Sequence, residues 1–232
     1  MEHLDNLEQI KVGSPALKEI PLTVAKLRDL RELYLIRCCH LRKILAEGTV
    51  APNIEILAVD GCPIANFSFQ EQGLLDVENI HMRVGMRLRD LILKNTSIAE
   101  VSIPEGVYPS LETIDLSENS RLMHVNGLPS AVVSLNLQNC PELKILISLS
   151  KLQNLKYLNI NDCCNLKTLN MEGLALLEEF KAERCWELKR IEGLSRQERM
   201  NCLHISTDNT NLWKDIGEFL VSFCSLLHPL FL

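Results

Sequence analysis

The chain is poor in aromatic residues, with six Phe, three Tyr and two Trp among 232 residues. Its hydrophobic content of 47% is ordinary for a globular protein, so its core must be built mostly from aliphatic side chains. Basic charge is in deficit too: 24 Lys and Arg stand against 30 Asp and Glu, for a net charge of −6, and the cations are scattered along the chain. That balance argues against a surface made to grip nucleic acid or anionic lipid. No apolar run suits a membrane span. The nearest, Ile216 to Leu232, is interrupted by Glu218, His228 and Pro229 and falls short of the ~20 residues required. The opening Met1-Glu2-His3-Leu4-Asp5 carries acids where a secretory leader needs basic and apolar residues. Together with an odd count of nine Cys, it leads us to expect a reducing cytoplasmic setting, with the nucleus as the other candidate, and no disulfide framework.

Catalytic signatures are absent. The sequence has no G-x-x-x-x-G-K-[ST] phosphate loop, no G-x-S-x-G elbow, no H-E-x-x-H and no kinase motif set. Cys38-Cys39 and Cys163-Cys164 are adjacent pairs, but zinc sites want C-x-x-C or Cys/His spacing that converges on one ion, and none occurs. The six His are dispersed, so each is read as a surface or core residue. Glu178, Glu179 and Asp162 are read as solvated charges beside strands. The expectation is a noncatalytic protein without cofactor or metal.

What the chain does have is a repeat. Leu155-x-x-Leu158-x-Ile160-x-x-Cys163-x-x-Leu166-x-x-Leu169 recurs in near-copies whose first apolar anchors are Leu7, Leu30, Ile54, Leu88, Leu111, Val132, Leu155, Leu177 and Met200. The steps between anchors are 23, 24, 34, 23, 21, 23, 22 and 23 residues. Such a pattern is the leucine-rich-repeat signature, whose period runs from about 20 to 29 residues. We therefore expect an α/β leucine-rich-repeat solenoid, a horseshoe of about nine repeats with a parallel β-sheet on its concave face. Residues 1–210 form the solenoid. An insertion of roughly ten residues, near residues 67–85, accounts for the long third step. Residues 211–232 are read as a C-terminal capping segment. The repeat begins almost at Met1, leaving an uncapped apolar end that is expected to meet another protein or a missing upstream domain.

The frame also assigns the cysteines. Cys38, Cys62, Cys140, Cys163 and Cys185 share one turn position with Asn119, Thr96, Pro15 and Asp208, the Asn-or-Cys site of the consensus, where a small side chain packs inward and satisfies the turning backbone.

Strand periodicity of two places alternate residues on the concave face. One column reads Lys11, Tyr34, Ala58, Ile92, Asp115, Asn136, Asn159, Lys181, His204. The next, two residues on, reads Gly13, Ile36, Asp60, Lys94, Ser117, Gln138, Asn161, Glu183, Ser206. Tyr34, Ile36, Ala58 and Ile92, with Ile56, form an apolar zone, and Asp115, Asn136 and Asn159 a polar one. We expect a protein ligand to anchor on the first zone and to be oriented by the second. The competing expectation is that the insertion covers the apolar zone within the same chain.

The unit Leu155-Lys156-Tyr157-Leu158-Asn159-Ile160-Asn161-Asp162-Cys163-Cys164-Asn165-Leu166-Lys167-Thr168-Leu169 resembles the C-terminal repeats of plant nucleotide-binding leucine-rich-repeat disease-resistance proteins. So do Leu135-Asn136-Leu137-Gln138-Asn139-Cys140-Pro141-Glu142-Leu143-Lys144 and Cys185-Trp186-Glu187-Leu188-Lys189-Arg190-Ile191. A Cys-x-x-Leu turn followed by a basic residue is familiar in that family, especially in its grass members. The resemblance runs from about Leu7 to Asp208. It implies a recognition module of an intracellular immune receptor, which binds pathogen effectors or restrains a nucleotide-driven switch, with a nucleotide-binding receptor domain as the partner of the uncapped N-terminal end. The chain departs from a full receptor in lacking that nucleotide-binding module, so nucleotide binding is not expected of it. The alternatives are a ubiquitin-ligase substrate adaptor, disfavoured by the lack of an F-box-like helical segment, and a constitutive leucine-rich-repeat scaffold.

Overall fold

The computed structural model describes residues 6–18, 20, 27–41, 50–51, 53–64, 66–68, 79–80, 83–84, 87–103, 105–106, 108–146, 149–194, 200–205, 212 and 216–218, and the structural statements that follow concern those residues. Two residues after each anchor the chain enters a short strand. The nine are Gln9–Val12, Glu32–Ile36, Ile56–Asp60, Asp90–Lys94, Thr113–Asp115, Ser134–Asn136, Tyr157–Asn159, Glu179–Ala182 and Cys202–Ile205. They form one parallel sheet in which spatial order equals chain order. Parallel neighbours cannot be joined by a tight hairpin, so each strand must be followed by a return run that brings the chain back to the same edge.

The two inward positions of each strand build the core. Leu33, Leu57, Leu91, Ile114, Leu135, Leu158 and Phe180 are sealed from solvent, and behind them stand Leu35, Val59, Leu93, Leu116, Leu137, Ile160 and Ala182. With one file of side chains stacked on the next, burial is shared between neighbouring coils, which is why no single repeat is stable alone. Among the described residues helix is limited to a 3-10 turn at Leu149–Lys151, a 3-10 residue at Leu194, and helical residues at 212 and 216–218 in the tail. The outer wall is instead made of strands of two or three residues. Ile145–Leu146, His124–Asn126, Glu100–Ser102, Asn66–Ser68 and Asn79–Ile80 form one outer sheet, and Thr168–Asn170 pairs with Arg190–Glu192.

The insertion joins this outer wall. Asn79–Ile80 pairs with Asn66–Phe67, and Arg83–Val84 pairs with Val50–Ala51 of the preceding coil. The first pairing adds a strand to the outer sheet and the second is a two-stranded sheet of its own, while the inner strands on either side, Glu32–Ile36, Ile56–Asp60 and Asp90–Lys94, stay in unbroken register. Residues 69–78 lie outside the described residues. In the tail, Leu212 and Ile216 are buried in the same core as the repeats. The capping reading of residues 211–232 otherwise falls largely outside the described residues, and we propose it on those two contacts.

The turn that follows each inner strand is governed by a second file. Cys38, Cys62, Cys140, Cys163 and Cys185 are buried, as are Thr96 and Asn119 at the same position of the intervening coils. The Sγ atoms of Cys140, Cys163 and Cys185 donate to the carbonyls of Leu116, Leu137 and Ile160 in the preceding coil at 3.2, 3.2 and 3.0 Å. Backbone groups that turn inside a core need such partners. Burial pushes the thiols up, to about 11 for Cys62 and about 12 for Cys140 and Cys185, and raises that of Cys163 as well. The Cys62, Cys140, Cys163 and Cys185 thiols are thus protonated and inert at neutral pH.

The residue before each rung holds a positive φ: Arg37, Gly61, Asn95, Glu118, Asn139, Asp162 and Arg184, between 50° and 65°. Left-handed backbone strains side chains other than Gly, Asn and Asp, and two of the bulkier ones have neighbours that hold them. Arg184 donates from Nε and Nη2 to the Asp162 carboxylate at 2.5 and 2.6 Å, and Lys94 lies 3.2 Å from Glu118. The Arg184 hydrogen bonds hold the Asp162 carboxyl below its ordinary value of 3.8, against a smaller opposing effect of burial. A depressed carboxyl contributes stability that is present above its ordinary value and lost as pH falls through the depressed one. Asp162→Asn is therefore expected to lower the urea midpoint near neutral pH, and the difference from the unsubstituted protein should shrink as pH falls through the depressed carboxyl value. Parallel midpoint curves across that range would contradict the pairing.

Candidate functional site

On the inner wall the outward residues fall into three files. The central file is in register at every step: Lys11 with Tyr34, Tyr34 with Ala58, Ala58 with Ile92, Ile92 with Asp115, Asp115 with Asn136, Asn136 with Asn159, Asn159 with Lys181, and Lys181 with His204. The same strands carry a file two residues earlier: Gln9, Glu32, Ile56, Asp90, Thr113, Ser134, Tyr157, Glu179 and Cys202. Of this file Ile56 belongs to the expected apolar zone, and Tyr157, outside the expected contact residues, is among the most exposed large apolar side chains of the described residues at 42%. The signal was present, since an outward position two residues before Asn159 follows from the same period of two.

In the apolar zone, Tyr34, Ile36, Ile56 and Ile92 are half-buried on the outward face, whereas Ala58 is 7% exposed. Ala58 is short, and the larger Tyr34 and Ile92 flank it in register. It forms the floor between them and offers little contact area of its own. The Tyr34 hydroxyl donates to Glu32 Oε2 at 3.2 Å. Burial first, and the Glu32 carboxylate next, raise the phenol, so it remains a neutral donor. No described residue of the insertion pairs with the inner strands: Asn79–Ile80 joins the outer sheet and Arg83–Val84 pairs with Val50–Ala51.

The polar zone has a second, structural duty. Asp115, Asn136 and Asn159 each turn Oδ1 back to accept the backbone N–H two residues on, from Ser117 at 2.8 Å, Gln138 at 3.1 Å and Asn161 at 3.0 Å. This Asx-type bond competes with the ladder and stops the strand. It accounts for three-residue strands at Thr113–Asp115, Ser134–Asn136 and Tyr157–Asn159, where the apolar zone has strands of five. One carboxylate or amide arm of each side chain is left outward, and Asn159 Nδ2 donates to Gln138 Oε1 at 3.3 Å.

The third file is corrected by the structure at two places. Ser117 and Asn161, expected to face a ligand, are 5% and 9% exposed. Because the strand has already ended, these residues sit in the turn, and Asn161 Oδ1 accepts the backbone N–H of Glu183 at 2.7 Å. Ser206 of that file lies outside the described residues. Between the polar strands a shallow depression is lined by Ser134, Asn136, Tyr157, Asn159, Glu179 and Lys181. One residue before their inner strands, Arg31, Arg89 and Lys156 bridge to Glu55, Glu112 and Glu178 of the following coil at 3.3, 3.2 and 3.1 Å. Exposed pairs of this kind add little to stability and set the character of the surface. Among the described residues, no group of three or more His, Cys, Asp or Glu is placed to hold a metal ion, and no helix is long and apolar enough to cross a membrane.

No model of a known protein family matches the chain. A protein of Arabidopsis thaliana named for disease resistance is 28% identical over 238 residues, an alignment that takes in 91% of this chain. The chain spans 19% of that relative's length. Among solved structures, the leucine-rich-repeat domain of the type III effector XopL is 18% identical, with 87% of this chain and 64% of that one covered at a TM-score of 0.48. The functional domain of InlJ from Listeria monocytogenes, which includes a cysteine ladder, is 11% identical over 89% of this chain and 65% of its own, with a TM-score of 0.35. The chain is a leucine-rich-repeat solenoid, similar over nine-tenths of its length to a plant disease resistance protein.

Proposed function

We propose that this solenoid is a noncatalytic protein-recognition module of plant defence, whose concave face binds a pathogen effector or makes an inhibitory contact with a nucleotide-binding switch. The observation that carries the reading is the unbroken central file, in which Tyr34 and Ile92 stand outward on either side of Ala58 and give way to Asp115, Asn136 and Asn159. An apolar patch beside a polar, hydrogen-bonding one is the composition of a protein interface, with anchors that exclude water and neighbours that fix orientation. The likeness to a disease resistance protein supplies the biological setting. A nucleotide-binding receptor domain at the N-terminal end of the solenoid belongs to the same proposal.

The test is proximity labelling in plant tissue, infected and uninfected, with the unaltered chain and with Tyr34→Ala/Ile92→Ser. The expected result is a set of effector or receptor proteins labelled by the first and lost from the second. A labelling set dominated by ubiquitin-ligase scaffold components would replace this reading with a substrate adaptor. One that does not change on infection or with the double substitution would replace it with a constitutive scaffold.

A further inference from the structure

The last strand of the inner sheet places a thiol against an imidazole. Cys202 and His204 are two residues apart and so share the outward face, and His204 Nε2 lies 3.1 Å from Cys202 Sγ. The other ring nitrogen, Nδ1, is 3.7 Å from Glu183 Oε1, within ion-pair reach. Lys181 stands in register with His204, and Glu179, in register with Cys202, holds the Lys181 ammonium. The His204 and Glu183 side chains are 49% and 39% exposed, and Cys202 is half-buried, so the group opens to solvent on the concave side. The sulfurs of the buried turn-file cysteines hydrogen-bond backbone groups instead. Of the other described cysteines, Cys39 bonds only the Arg37 carbonyl, and Cys164 the carbonyls of Asp162 and Arg184.

We propose that Cys202 is a modification site, a nucleophilic thiol that reacts with a hydroperoxide, with His204 as its base and Glu183 as the residue that positions the imidazole. With Nδ1–H turned to Glu183, Nε2 takes the proton of the thiol. The thiolate attacks one peroxide oxygen, so that the S–O bond forms as the O–O bond breaks and sulfur gives up two electrons to the peroxide. The departing hydroxide takes the proton back from His204 Nε2 and leaves as water. For hydrogen peroxide the balance is thiol plus peroxide to sulfenic acid plus water, with His204 restored. The proposal rests on these side chains alone and stands whether or not the concave face binds an effector.

The experiment treats the full chain with hydrogen peroxide, traps sulfenic acid with a cyclic dione, and follows adducts at Cys202 and Cys39 in the same molecules by peptide mass spectrometry. Cys202 is expected to react about tenfold or more faster than Cys39. His204→Gln should bring the two rates within about threefold, Glu183→Gln should give an intermediate ratio, and the Cys39 rate should not change. Because Cys39 is an internal reference, a general loosening of the fold would raise both rates and leave no selective loss at Cys202. Equal rates in the unsubstituted chain, or an unchanged ratio in His204→Gln, would overturn the assignment.

Discussion

Asn119→Ala is expected to lower the unfolding free energy by about 4 kcal/mol, an effect at the top of the range for single substitutions. The side chain is wholly buried in the turn file, and all its hydrogen-bonding arms are used. Oδ1 accepts from the backbone N–H and the hydroxyl of Thr96 at 2.7 and 2.6 Å, and Nδ2 donates to the carbonyls of Leu93 and Leu116, each at 2.7 Å. Truncation leaves the Thr96 N–H and the Leu93 carbonyl without partners inside the core, while Leu116 keeps the Cys140 thiol. Two orphaned backbone groups at about 1 to 3 kcal/mol each, with the vacated volume, reach the stated figure. Asn119→Cys should recover roughly half of it, because Cys62 shows what a thiol does at this position. Its Sγ accepts the Cys38 N–H at 3.3 Å and donates to the Leu35 carbonyl at 3.6 Å. Urea unfolding of the three proteins measures both steps. A loss under about 1 kcal/mol in the Ala variant would show that the turn finds other partners.

Tyr34→Ala/Ile92→Ser is expected to weaken the binding of a concave-face protein ligand by about a hundredfold, or roughly 2.7 kcal/mol. The two side chains stand on the second and fourth strands, with Ala58 between them. A partner that covers the patch must touch both. Neither side chain belongs to the sealed core, and their strands are held by Leu33, Leu35, Leu91 and Leu93, so the fold is expected to survive. The loss of the Tyr34 hydroxyl leaves Glu32 able to meet water or Gln9, its other partner. Circular dichroism and the urea midpoint should be little changed while the dissociation constant rises. A fall in the midpoint that matches the loss of binding would mean that the pair supports the sheet instead of the contact.

The inner wall was readable from the chain because its spacing repeats. An apolar residue at the first anchor and a period of two after it locate all nine strands and put Tyr34, Ile92, Asp115 and Asn159 into one file, and the residue three places beyond the second inward residue gives the turn file of Cys, Thr and Asn from the second strand to the eighth. Each of these signals recurs in coil after coil. What escaped lacks such recurrence. The outer strands are two or three residues long, as at Ile145–Leu146, too short for one buried residue between two exposed ones to mark them as strands. Ser117 and Asn161 are buried where Gln138, after the same Asx bond, is exposed, a difference in side-chain size and local partners that periodicity does not register. The meeting of Cys202 with His204 was in reach of the same period-two argument, but Glu183 joins them only through the neighbouring coil. For the insertion, the pairing of Arg83–Val84 with Val50–Ala51 crosses more than thirty residues and follows from no local pattern.

The recognition surface and the Cys202 site both depend on one strand per coil, laid side by side in chain order. Dipolar spectroscopy between spin labels carried on keto amino acids, which spare the native cysteines, measures that layout. Labels at Ile92 and Lys181 are four strands apart and should lie about 19 Å from one another along the sheet, and labels at Tyr34 and Lys181, six strands apart, about 29 Å. Separations are expected to grow in this way with each coil. Separations that do not increase from the first pair to the second, or that fall below about 15 Å for both, would contradict that layout.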